Sequence, residues 1–161
     1  MLSLSKEELS NEYEWHYRVF SEGDSTEHEL RAFYALNPER DKKYVNWGSG
    51  AWSRSVEVLR ADGWQVFGYE PHGSAGGEGS AILRSLDELV ALQPSGIYSN
   101  NVLEHLRHPI DELKTMSSLL PPGSMMSHAT PCFEYRFEFT RFHLFFFLGR
   151  SRHILADRAG L

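Results

Sequence analysis

The sequence predicts an α/β protein, a doubly wound and mostly parallel sheet of about five strands in one domain. Three observations predict it. Val45-Asn46-Trp47-Gly48-Ser49-Gly50-Ala51-Trp52-Ser53 sets two glycines between an apolar approach and a stretch of helical periodicity. Residues 64–70 then read as an apolar strand that ends on an acid, Glu70. Beyond them, strand-like stretches at 80–84, 96–99 and 124–129 alternate with helix-like ones, the order that winds a parallel sheet.

Taken in order, residues 1–40 are expected to form a helical segment that packs on a core made by residues 41–161. Ser5-Lys6-Glu7-Glu8 has the capping-box pattern and opens a segment rich in Tyr13, Trp15, Tyr17 and Phe20. Asp24 or Ser25 can cap a second helix over 26–36, whose Leu30, Phe33 and Tyr34 form one apolar stripe. Asn37-Pro38 ends it. Lys42-Lys43-Tyr44-Val45 leads into the first strand, and Trp52, Val56, Leu59 and Gly63 fall at helical spacing, predicting a helix over 51–62.

After Glu70 the run 71–79 carries too many glycines for a helix, although parallel strands need a crossover there. Ser85-Leu86-Asp87-Glu88 is a second capping box, opening a helix to about Leu92. Pro94-Ser95 breaks that helix before the fourth strand. Pro109 begins another, with Ile110, Leu113, Met116 and Leu120 on one face. Pro121-Pro122-Gly123 turns the chain into the fifth strand. Phe133, Tyr135, Phe137 and Phe139 then alternate with polar residues, which is the signature of a strand. An aromatic cluster spans 142–148, and a last helix is expected over 151–159, stopped by Gly160.

Composition narrows the class. The 161 residues suit one domain with a real core. An apolar content of 41% and a charged content of 24% are those of a globular protein. A net charge of −6 argues against a nucleic-acid surface as the main function. The lone cysteine, Cys132, excludes an intrachain disulfide and is compatible with the cytosol. No apolar run approaches the roughly 20 residues that span a bilayer, and the N-terminus lacks an apolar signal core. A cytoplasmic protein without a membrane partner is expected.

The glycine turn carries the chemistry. Glycines allow a tight backbone turn and a ligand's close approach, and the following helix offers free N–H groups. An acid at the tip of the next strand can accept both ribose hydroxyls of a bound nucleoside. A dinucleotide fingerprint would need a third glycine, and Ser53 occupies that place.

Three segments together resemble the class I S-adenosylmethionine-dependent methyltransferases, in their small-molecule and natural-product branch, from about Tyr44 onward. "YVNWGSGAW" is similar to the first motif of that family, "VFGYEP" to its second strand with the ribose acid, and "GIYSNNVLEHLRHP" followed by "LLPPGSMM" to its fourth strand, Glu-His signature and proline-glycine turn. The resemblance implies a Rossmann-like fold and S-adenosyl-L-methionine as cofactor. Gly48 and Gly50 would pass beneath its methionine portion, with Asn46, Trp47 and Ser49 completing the turn. Glu70 and Pro71 would meet the ribose, Ser85 and Leu86 would flank the adenine, and Asn100 and Asn101 would line the methyl-donor end. His105 is the candidate catalytic base, with a structural role in the loop as the alternative.

Departures from the family pattern shape the remaining expectations. The acid that opens the first motif is Asn46, its last glycine is Trp52, and the second crossover helix is replaced by the glycine run. The antiparallel hairpin that usually completes the sheet would follow Leu161, so the fifth strand is expected to lack that neighbour. Residues 133–139 then either cover the open edge, within the chain or in a homodimer, or form a flap over the acceptor pocket. A degenerate cofactor-binding homologue and a nicotinamide-dependent oxidoreductase stay open as alternatives to a methyltransferase with a small-molecule or carrier-bound substrate. No metal site is expected, because His105 and His108 lie three apart beside Glu104 but nearby spacing fixes no third ligand. Cys132 has no evident activating partner.

Overall fold

A computed structural model of the protein describes residues 8, 11, 15, 24–50, 52–72, 81–130, 132 and 143–161. The elements run α1 (Thr26–Tyr34), β1 (Lys43–Trp47), α2 (Arg54–Ala61), β2 (Gln65–Tyr69), β3 (Ile82–Leu83), α3 (Leu86–Leu92), β4 (Gly96–Asn100), α4 (Pro109–Ser118), β5 (Met125–Ala129) and α5 (Ser151–Ala159). The five strands form one sheet in the order β3-β2-β1-β4-β5, and every pairing is parallel. From β1 the chain winds outward through β2 to β3, then returns to the other side of β1 for β4 and β5. The carboxyl ends of β1 and β4 therefore flank the switch point, where open α/β sheets bind their ligands.

Alternation along β1 divides the core in two. Val45 and Trp47 point to the face covered by α3, α4 and α5, where they join Ile97, Leu113, Met116 and Phe147. Tyr44 points to the opposite face with Val56, Leu59, Val66 and Tyr98. There α1 closes the layer with a fully buried Phe33, whose ring meets Tyr44, Trp64 and Tyr98 edge-on at 5.2–5.6 Å. Tyr34, expected in the same stripe, is half exposed instead. Near the amino terminus Trp15 is 47% exposed. The first capping box apart from Glu8, most of that aromatic segment, the glycine run from Gly73 and the alternating ribbon 133–139 lie outside the described residues.

Element limits follow local chemistry. Asp24 Oδ1 accepts from Thr26 N at 3.0 Å in front of α1. The Ser85–Glu88 capping box is present in both directions, and Pro109 begins α4. One boundary differs from expectation. The helix after the glycine turn begins at Arg54 rather than Ala51, because Ser53 caps it by accepting from Val56 N at 3.4 Å. Trp52 consequently falls outside the helix and off its apolar stripe, 63% exposed. Among the described residues no helix is long and apolar enough to cross a membrane.

On β5, His128 stands beside Ser99 of β4, its Nδ1 2.8 Å from Ser99 Oγ. Its Nε2 is buried without a hydrogen-bond partner among the described residues, although the residue as a whole is only half-buried. Burial holds the imidazole pKa down at about 4, against an ordinary 6.5. The folded protein therefore keeps His128 neutral where the unfolded chain already takes up a proton. Stability that is fully present above pH 6.5 is lost as the pH falls from there toward about 4. The loss is at most about 3 kcal/mol and is reduced by the residual exposure. Urea midpoints measured across this window are expected to drop for the wild type and to stay flatter for His128→Gln; equal slopes would remove His128 as the cause.

Candidate cofactor site

β1 ends at Trp47, and the chain turns through Gly48 and Gly50, both in the left-handed region with φ of +72° and +70°. The turn is fastened to the end of β2: Gly48 N and Ser49 N both donate to Tyr69 O, at 2.8 and 3.2 Å. Glu70, just past β2, closes the arrangement. Its Oε2 accepts from Gly50 N at 3.2 Å and its Oε1 from His72 N at 3.0 Å. A carboxylate offers about four lone-pair directions, so beside these two bonds among the described residues two directions remain for further donors.

Among the described residues, a Cβ on Gly50 would meet nothing nearer than Trp52 O at 3.8 Å. On Gly48 it would strike Val102 Cγ2 at 2.6 Å. The loop after β4 therefore covers Gly48, and among the described residues the open side of the turn is at Gly50.

The absent third glycine has a counterpart that lies elsewhere in the chain. Gly68, in the middle of β2, is buried beneath Ser49. A side chain at Gly68 would press on Ser49 and on Ile82 of β3. Close approach of turn and sheet is thus achieved by a glycine in the neighbouring strand, while position 53 is free to be the helix cap.

The carboxylate absent at position 46 is likewise supplied from elsewhere. Asn46, 1% exposed, donates from Nδ2 to Glu29 Oε2 at 2.7 Å. The same oxygen accepts from Ser53 Oγ at 3.2 Å and from Ser55 Oγ, and Ser25 Oγ donates to Oε1. One acid from α1 thereby holds the end of β1 and the cap of α2, the two ends of the glycine turn. Sequence reasoning missed it, although a signal existed: Glu29 lies four residues before Phe33, so an acid occupies the buried face of α1. Glu29→Ala would leave Asn46 and two serines without their shared acceptor. Hydrogen bonds to a charged group contribute about 1.5–3 kcal/mol each, so a loss of about 3 kcal/mol is expected in urea denaturation. A change below 0.5 kcal/mol, the usual limit for surface substitutions, would show that the network carries little.

The other expected positions are distributed around the same edge. Trp47 is committed to the core, its Nε1 donating to Glu112 Oε1 at 3.0 Å and its ring packed 4.4 Å from Tyr69. Pro71 is exposed. The Ser85 side chain serves the cap of α3, and Leu86 is 44% exposed beside it. Arg84 links the strand ends, donating to Glu70 O at 2.8 Å and His72 O at 3.3 Å. Asn100 ends β4, and Asn101 takes a left-handed φ of +57° while its N–H donates to Ala129 O. Because β2, β1 and β4 are neighbours, the sheet brings Glu70, the glycine turn and Asn100-Asn101 to one edge. His105 lies farther along the loop after β4, its ring edge-on to His143 at 4.8 Å. Ser85 and Leu86 are carried to the periphery by β3.

A parallel sheet in this order, with a glycine turn at the switch point and an acid at the next strand tip, defines a Rossmann-like α/β domain. The chain belongs to a methyltransferase domain family, whose model matches residues 24–157. No curated protein matches it.

Proposed function

We propose that the protein is an S-adenosyl-L-methionine-dependent methyltransferase acting on a small molecule or a carrier-bound intermediate. The observation that carries this reading is the contact of Gly50 N with Glu70, which joins the open side of the turn to an acid at the switch point. The residues fit the cofactor. Among the described residues Glu70 has acceptor capacity left for two ribose hydroxyls, and nothing comes nearer than 3.8 Å to the place a Cβ would take at Gly50. A nucleoside with a zwitterionic tail has no diphosphate, which agrees with a helix that begins at Arg54 instead of directly at the turn.

When bound, the cofactor supplies a methyl group on a sulfonium, a good leaving group. The protein's own task is then to hold donor and acceptor in line and exclude water, which can supply much of the rate. Glu70 and the Gly48–Gly50 turn would hold the nucleoside and methionine portions, Asn100 and Asn101 would border the methyl, and His105 would take the acceptor's proton where one must leave. Two of the departures that favour a degenerate homologue, Asn46 and Trp52, are softened here. Glu29 supplies a carboxylate at Asn46, and the exposed Trp52 does not fill the turn.

Calorimetric titration with S-adenosylmethionine, S-adenosylhomocysteine and NAD tests the reading. Binding of the first two and not of NAD is expected. A folded protein that binds neither sulfur nucleoside would overturn it, and binding of NAD alone would move the protein to the oxidoreductases.

A further inference from the structure

We propose that Glu104, Cys132 and His143 form a site for one divalent transition-metal ion, best matched by Zn2+. One ligand atom from each of the three residues lies within 4.8 Å of the other two. Cys132 Sγ and His143 Nδ1 are already 3.3 Å apart. Zinc bonds of about 2.0–2.3 Å in tetrahedral geometry separate ligand atoms by roughly 3.5 Å, so even pairs at the outer limit need to close by only about an ångström. Oxygen, sulfur and nitrogen donors together suit zinc and its neighbours, whereas magnesium and calcium avoid a thiolate.

Two further observations point to a cation. Glu104 is fully buried, and its Oε2 has no hydrogen-bond partner among the described residues. An acceptor left so in the interior is costly, and a metal ion would satisfy it. The surrounding bonds also orient the ligands as outer partners of metal sites do. Thr130 Oγ1 donates to Glu104 Oε1 and accepts from Cys132 N at 3.1 Å, so one hydroxyl aligns two ligands. The Glu104 carbonyl accepts from Leu144 N at 2.7 Å, fixing the third ligand's neighbour.

A nucleophilic role for Cys132 fits less well, because the residue is only 2% exposed. Metal binding would displace the thiol proton to solvent and leave three protein ligands with a fourth position open. Its consequence for the fold would be a tie between the loop after β4 and the chain after β5. The three ligands are 28 and 11 residues apart in sequence, which is why no short motif announces them.

The test uses the whole chain, loaded with Zn2+ or Co2+ and desalted. One equivalent of metal is expected by elemental analysis. The cobalt form should show a thiolate-to-metal charge-transfer band and the intense visible bands of a four-coordinate ion. Cys132→Ser should lose the charge-transfer band, His143→Ala should bind at least tenfold more weakly, and His153→Ala, an exposed histidine elsewhere, should behave as wild type. Wild-type protein that retains no metal and shows no thiolate band would overturn the site, whatever the variants do. So would a charge-transfer band from the same thiolate with unchanged affinity in His143→Ala.

Discussion

Gly68→Val is expected to cost more than about 3 kcal/mol, a large fraction of the 5–15 kcal/mol that holds a domain together. The reason is space. Its Cβ would come within 2.9 Å of Ser49 Cβ and closer still to Ser49 Oγ and Ile82 Cδ1. Ile82 can rotate away, but Ser49 is held, since its N–H and that of Gly48 are both bonded to Tyr69 O. Overpacking a close contact typically costs about 1–3 kcal/mol for a small insertion, and valine adds two further methyl groups on a branched, stiff side chain. Urea denaturation followed by circular dichroism measures the loss. A double variant, Gly68→Ala with Ser49→Gly, should recover part of what Gly68→Ala alone loses, because it removes the fixed half of the clash. A Gly68→Val protein with a wild-type midpoint would mean that turn and sheet are not in contact.

Glu70→Ala is expected to raise the dissociation constant for S-adenosylhomocysteine at least tenfold, and about a hundredfold or more if both bonds are lost outright, with the fold intact. Two charge-assisted hydrogen bonds to ribose hydroxyls are at stake, each contributing on the order of 1.5–3 kcal/mol, where 1.4 kcal/mol is a factor of ten. The same change releases Gly50 N and His72 N, but Glu70 is only half-buried and water can replace it there. Calorimetry gives the affinity and a thermal melt confirms folding. An unchanged constant in a folded variant would remove Glu70 from the site and leave it as a brace for the turn.

Much of the architecture is legible in the sequence, where the signal is local. Ser85 and Glu88 make their reciprocal cap, Pro109 opens α4, Gly160 stops α5, and Leu113 and Met116 face the core. Each depends on residues within one or two turns of itself. The helix after the glycine turn begins three residues later than periodicity predicts, because Trp52 matches the apolar period whereas Ser53 offers a hydroxyl to the helix N-terminus. Periodicity counts apolar residues and does not register which polar group satisfies a free N–H.

By itself the sequence determined the order of strands and helices, the glycine turn and the acid that follows it. Hydrophobic period, caps and backbone breakers are encoded by neighbours in the chain. Only the tertiary structure decided what completes the turn. The close-packing glycine is Gly68 in the adjacent strand, and the carboxylate under Asn46 is Glu29, seventeen residues earlier on another element. The grouping of Glu104 with Cys132 and His143 is of the same kind. A buried polar atom needs a partner within about 3 Å and is indifferent to which part of the chain provides it. That demand is met in space, after the sheet has brought remote segments together.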